Sequence, residues 1–260
     1  MTSTSVRRHR ATGLVVLLAG LLATGVGYAA VSGAAEASPR VASSTEVEHG
    51  QQLFVEGCSS CHGLAAQGTS QGPGLIGVGA AAVDFQVTTG RMPLAQPAQQ
   101  APRKTPIYTE EQTKALAAYV ASLGPGPAIP SDEDINYTDA DLATGGTLFR
   151  TNCQQCHNFA GSGGALSDGK YAPSLMRATP REMYEAMLTG PQNMPNFPNS
   201  TLPQKDKQAI IKFITHLQET PDPGGLALGS FGPVTEGVFI WTAGIGALLL
   251  AAVWIGAKVR

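Results

Sequence analysis

Charge is scarce and nearly balanced. Only 14% of the 260 residues are Asp, Glu, Lys or Arg, and 17 basic residues against 19 acidic ones leave a net charge of −2. A nucleic-acid partner needs a basic excess, so that class is excluded. Cysteine is equally sparse, and four cysteines cannot staple a chain of this length as a disulfide scaffold. Aromatic residues make up 6%, against 31 glycines and 18 prolines. Helices joined by long Gly/Pro loops fit that balance better than an all-β sandwich. The length allows one large domain or two modest ones.

The charge that is present falls into three regimes. Residues 1–40 carry Arg7, Arg8, Arg10 and Arg40 against Glu36. Residues 41–233 carry 11 basic and 17 acidic side chains, and residues 234–260 carry Lys258 and Arg260 against Glu236. A weakly acidic middle therefore sits between two mildly basic, apolar ends. No charge occurs from Ala11 to Ala35, directly after the cluster Arg7-Arg8-His9-Arg10. Residues 1–35 read as a basic leader with a signal-anchor or transmembrane helix, and Ala35-Glu36-Ala37 is a mediocre cleavage site. The uncharged stretch is longer than a usual signal core, which favours a retained span. No charge occurs from Gly237 to Ala257 either, 21 residues that match the ~20 needed to cross a bilayer. Trp241 and Trp254 lie near its edges, where indoles favour the interface. Residues 234–257 thus read as a transmembrane helix and 258–260 as a cytoplasmic tail. With both spans retained, the positive-inside rule puts both termini in the cytoplasm and the middle outside the plasma membrane; cleavage at the N-terminus would leave the middle outside as well.

The middle is a repeat. Gly50-Gln-Gln-Leu53-Phe54-x-x-x-Cys58-Ser-Ser-Cys61-His62 recurs as Gly145-Gly-Thr-Leu148-Phe149-x-x-x-Cys153-Gln-Gln-Cys156-His157. Pro73-Gly-Leu75 matches Pro173-Ser-Leu175, Thr89-Gly90 matches Thr189-Gly190, and Met92-Pro93 matches Met194-Pro195. Two amphipathic stretches, Glu110–Leu123 and Pro203–Leu217, close the copies. In them Leu116, Tyr119, Val120 and Leu123 match Ile210, Phe213, Ile214 and Leu217, one helical face. The expected domains are 46–123 and 142–218. Linkers fill 36–45, 124–141 (Pro/Gly-rich and acidic) and 219–233.

All four cysteines lie in the two Cys-x-x-Cys-His strings, which read as covalent c-type haem attachment. Cys58, Cys61, Cys153 and Cys156 supply the thioethers, and His62 and His157 reach iron from one side. A thioredoxin-like motif would sit after an apolar strand, and none precedes either string. A four-thiolate zinc site would leave the paired histidines and Met-Pro pairs without a role. Met92 and Met194, repeated in equivalent Met-Pro loops, are the expected opposite ligands, a pairing that raises reduction potential. Met176, Met183 and Met187 read as core filler. His49 and His216 have no counterpart in the other copy and read as solvated or packing residues. The acidic run Asp132–Asp134 reads as a solvated loop.

At these residues the chain resembles class I cytochrome c twice over, an all-α fold of two tandem domains. Gly50 and Gly145 are expected to let Tyr119 and Phe213 of the last helix approach the first. The whole plan, with its two apolar ends, is similar to the di-haem cytochrome c subunit of the actinobacterial cytochrome bc complex. Gly57-Cys-Ser-Ser-Cys-His-Gly63, Gly90-Arg-Met-Pro93 and Asn193-Met-Pro-Asn196 carry the match to its haem motifs. The resemblance implies two covalent haem c groups, with His62, Met92, His157 and Met194 as axial ligands. It further implies a place in a translocase-type quinol–cytochrome c reductase, without independent catalysis by this chain. The implied partners are a Rieske iron–sulfur subunit, a cytochrome b subunit, an aa3-type cytochrome c oxidase and membrane lipid. A di-haem carrier of a cbb3-type oxidase or membrane dehydrogenase is the alternative, and a di-haem peroxidase a further one.

Overall fold

The structure is a computed structural model that describes residues 13–26, 42–220, 228 and 233–258. Its helices are α1 (Gly13–Val26), α2 (Ser44–Gly57), α3 (Ser59–His62), α4 (Ala80–Thr88), α5 (Glu110–Ser122), α6 (Leu142–Asn152), α7 (Gln154–His157), α8 (Pro180–Thr189), α9 (Gln204–Glu219) and α10 (Pro233–Lys258). Among the described residues the only sheet is a short antiparallel hairpin, β1 (Gly164–Ala165) with β2 (Tyr171–Ala172). The chain divides into two compact units, Met1–Val41 and Ala42–Arg260.

In the first unit α1 is described. Its 14 residues span about 21 Å, less than the ~30 Å hydrocarbon core. The Arg7–Arg10 cluster and the Ala35–Ala37 site lie outside the described residues. In the second unit, α10 is the one described helix long and apolar enough to cross a membrane, with a mean hydropathy of 2.2 over Val234–Lys258 and none of it buried. Its 26 residues extend about 39 Å. Glu236 in its first turn and Lys258 in its last complement the helix dipole. Most of the 219–233 linker, with Val259 and Arg260, lies outside the described residues.

Side-chain caps start two helices in each repeat. Ser43 accepts the Glu46 amide proton ahead of α2, and Asp141 accepts that of Thr144 ahead of α6. Thr109 with Gln112, and Thr179 with Glu182, form capping boxes ahead of α5 and α8. The helix leading into each Cys-x-x-Cys-His string is broken within it. Cys58 (φ −126°) separates α2 from α3, and Cys153 (φ −119°) separates α6 from α7.

Each repeat is built on a helix crossing. A Cβ on Gly50 would overlap the Ala115 carbonyl, and one on Gly145 the Ala209 carbonyl. Backbone therefore approaches backbone where α2 meets α5 and α6 meets α9. The expected aromatics follow one turn on: Phe54 lies 5.2 Å from Tyr119 and Phe149 5.4 Å from Phe213, centroid to centroid. Phe54, Leu116 and Val120 anchor one core, and Phe149, Ile210, Ile211 and Ile214 the other.

The two repeats pack together through equivalent helices, α4 against α8. Asp84 and Glu185 are buried there, and Arg181 Nη1 stands 3.8 Å from Asp84 Oδ2. From the loop after Met92, Arg103 grips Glu182 of α8 with two nitrogens at 2.6 and 2.9 Å. Gln100 and Gln192 each use a side-chain amide to bond both backbone groups of a residue in the other repeat, Tyr171 and Ala101 respectively. The acidic linker is more structural than expected. Asp134 Oδ2 accepts from the Ser131 amide and hydroxyl, and Gln208 of α9 donates to the Glu133 and Asp134 carbonyls. His49 and His216 are exposed, and His216 lies beside the Thr220 hydroxyl.

Candidate haem sites

The two expected ligand histidines are buried, 9% and 8% exposed. His62 Nδ1 lies 2.8 Å from the Pro73 carbonyl oxygen, and His157 Nδ1 2.9 Å from that of Pro173. A carbonyl oxygen only accepts, so Nδ1 carries the proton in both rings. That leaves the Nε2 lone pair as each ring's donor to a metal. Burial lowers the His157 pKa, which keeps the ring neutral, as a metal ligand requires. The repeated Pro73/Pro173 pair thus acquires a role that its appearance in the sequence did not disclose.

In the second repeat the expected site residues converge. Cys153, Cys156, His157 and Met194 all line one cavity of about 820 Å³. Its other walls are apolar, among them Phe149, Leu175, Ile210 and Ile214. Met176, Met183 and Met187, expected as core filler, also reach this wall, and Met183 and Met187 are buried. In the first repeat, Cys58 and Met92 pack against the Phe54–Leu116–Val120 core beside Val87 and Tyr119.

Burial, then the neighbouring cysteine, pushes the Cys58 and Cys153 thiols up to about 11. Reactive dithiols have the opposite shift, and this environment suits thioether formation at an apolar wall better than thiolate chemistry. Among the described residues no three His, Cys, Asp or Glu side chains converge as a metal cluster, and the cysteines stand as two separate pairs. Two thiols, a tautomer-fixed imidazole and a thioether around one apolar cavity fit covalent haem c.

Residues 47–124 match the family model for cytochrome c. Residues 140–214 match that for cytochrome c oxidase, cbb3-type, subunit III. Across the whole chain, the cytochrome bc1 complex cytochrome c subunit of Corynebacterium efficiens is 46% identical over 96% of this chain and 90% of its own. That of Corynebacterium diphtheriae is 46% identical over 96% and 95%, and that of Mycobacterium tuberculosis 47% over 96% and 92%. The chain belongs to the cytochrome bc1 complex cytochrome c subunits. Its two domains are therefore cytochrome c domains, a fold that carries covalently bound haem c.

One part of the site in this cytochrome c subunit was not expected. The second repeat's cavity is walled in part by the first repeat, through Phe85, Arg91 and residues 100–103. Arg91 appears in the sequence within the Met-Pro motif, but its counterpart, Asn193, is uncharged, so the repeat gave it no weight.

Proposed function

We propose that this chain passes electrons from a Rieske iron–sulfur subunit towards an aa3-type cytochrome c oxidase, within a quinol–cytochrome c reductase of the translocase type. It binds two haem c groups, one at Cys58 and Cys61, the other at Cys153 and Cys156. His62 with Met92, and His157 with Met194, are the axial pairs. When bound, each haem c supplies a one-electron couple. The protein holds the histidine tautomer through Pro73 and Pro173, keeps water from the apolar walls and fixes the repeats against one another. The domain limits are 46–123 and 142–218.

The observation that carries this reading is the doubled histidine lock, the same Nδ1–carbonyl bond behind the same Cys-x-x-Cys-His break in both repeats. The relatives' shared name supports the complex, because a bc1 complex contains quinol-oxidising and iron–sulfur partners. Placement of both repeats outside the plasma membrane rests on α10, with Lys258 at its end and Arg260 after it. Retention of the uncharged segment 11–35, which contains α1, as a second span, with both termini cytoplasmic, completes the proposed topology. Quinol oxidation belongs to the Rieske and cytochrome b partners, and α10 docks against them in the lipid.

The cbb3-type match of residues 140–214 favours a second reading, a carrier subunit of an oxidase. The span at the C-terminus and the full-length relatives weigh against it. Purification in mild detergent separates the two. Co-purification of a Rieske protein and a cytochrome b is expected; recovery with a cbb3-type oxidase or a dehydrogenase, or alone, would sink the proposal. Ultraviolet–visible and EPR spectra should show two low-spin haems, whereas a high-spin haem would favour a peroxidase.

A further inference from the structure

Arg91 is 8% exposed, and its Nη1 has no hydrogen-bond partner. Its guanidinium carbon lies 4.8 Å over the Phe85 ring centroid, and both residues line the second repeat's cavity. A guanidinium does not readily shed its proton to escape burial, so an unmet charge here is destabilising. Glu182 lines the same cavity, but Arg103 holds both of its oxygens and the Thr179 amide shares Oε2. Arg103 is therefore neutralised and Arg91 is left over. The wall that the first repeat presents to this cavity carries one surplus positive charge. What it lacks is a carboxylate inside the cavity.

Resting on the haem reading above, we infer that Arg91 binds a propionate of the haem attached at Cys153 and Cys156. The first repeat thus supplies the anion-binding residue for the second repeat's cofactor. The planar fork of arginine suits a carboxylate, and the Phe85 ring beneath it fixes its plane. The arrangement runs one way only, since Asn193 stands where a reciprocal arginine would be. Arg91 also precedes Met92 directly. One short segment therefore serves the axial side of the first site and the propionate side of the second.

The test uses the full chain in its membrane complex. Covalent haem is counted per chain from the pyridine haemochrome spectrum and the protein mass. Met92→His and Met194→His each lower one redox wave and so assign the two haems. Arg91→Gln is expected to retain two haems and to shift the second-repeat wave to lower potential, because losing a buried positive charge favours the ferric state. A second-repeat wave at the wild-type position, or a shift confined to the first-repeat wave, would overturn the inference. If Arg91→Gln does not assemble, Arg91→Lys decides. It keeps the charge but loses the fork, so a propionate bending band in the resonance Raman spectrum must move, and an unmoved band rejects the contact. Failure of the underlying haem reading looks different: the wild-type chain would then lack haem at Cys153 and Cys156.

Discussion

Gln100 of the first repeat and Tyr171 of the second hold each other at two points. Gln100 Nε2 donates to the Tyr171 carbonyl at 2.6 Å, and the Tyr171 amide donates to Gln100 Oε1 at 3.0 Å. The side-chain amide acts as a one-residue strand, completing backbone that the short hairpin leaves unpaired. Gln100→Ala removes both bonds. Each is worth about 1 kcal/mol at a partly exposed site. The expected outcome is faster hydrogen exchange at the Tyr171 amide, with the α2–α5 crossing still protected. Unchanged exchange there would show that the clasp does not hold the repeats together.

This clasp joins two insertions, and the insertions were legible as shifts in the repeat offset. The offset is 95 from Gly50 to His62, 100 at Pro73 and Thr89, 102 at Met92 and 94 at Leu116. The first step marks five extra residues in the second repeat, which form the β1–β2 hairpin carrying Tyr171. The last marks eight extra residues in the first repeat after Met92, the loop carrying Gln100 and Arg103. Helices, the Cys-x-x-Cys-His strings and the crossing glycines follow local rules and could be read directly. That the two insertions would meet could not, because their contact depends on α4 packing against α8. Nothing in the local pattern announces that pairing. Asp84 and Glu185 on those helices look like solvent residues in the sequence.

Glu185 is fully buried, and burial first, then the facing Asp84, pushes its carboxyl up to about 10. In the unfolded chain it loses its proton near 4.5. Folding therefore takes up a proton between those values, and this group's contribution to stability is greatest below 4.5 and is lost as pH rises towards 10. Glu185→Gln keeps the shape and removes the proton. At pH 8 folding no longer has to take up that proton, so the variant should be stabilised by about 1–3 kcal/mol. Thermal melts at pH 5 and pH 8, followed by circular dichroism, read the effect. An equal loss of Tm between the two pH values in variant and wild type would refute this role for Glu185.

The helix crossings predict paired sensitivity. Gly50→Ala and Gly145→Ala each place a methyl group on a carbonyl of the partner helix. Backbone must shift to admit it, at a cost of about 1–3 kcal/mol or more. A methyl group added at Gly237 or Gly244 of α10 would meet nothing within 4 Å, so alanine there is expected to leave the fold of the repeats intact. Thermal melts of the four variants separate the classes, and a neutral Gly145→Ala would contradict the close α6–α9 approach.

Cofactor attachment should be a condition of folding for the second repeat. Its cavity is about 820 Å³ and is bounded by the same Phe149, Ile210 and Ile214 that form the core. Without the cofactor, water would wet these apolar walls and forfeit their burial, leaving the second repeat a thin core. An unattached second repeat is therefore expected to lose much of its stability. Cys153→Ala with Cys156→Ala should abolish exchange protection in α6 and α9, and Tyr171 should lose the clasp with them. The α2–α5 crossing has its own core around Phe54 and Leu116 and should keep its protection. Hydrogen exchange read by mass spectrometry resolves the four helices. Retained protection in α6 and α9 without covalent haem would show that the cavity is filled by something other than the cofactor.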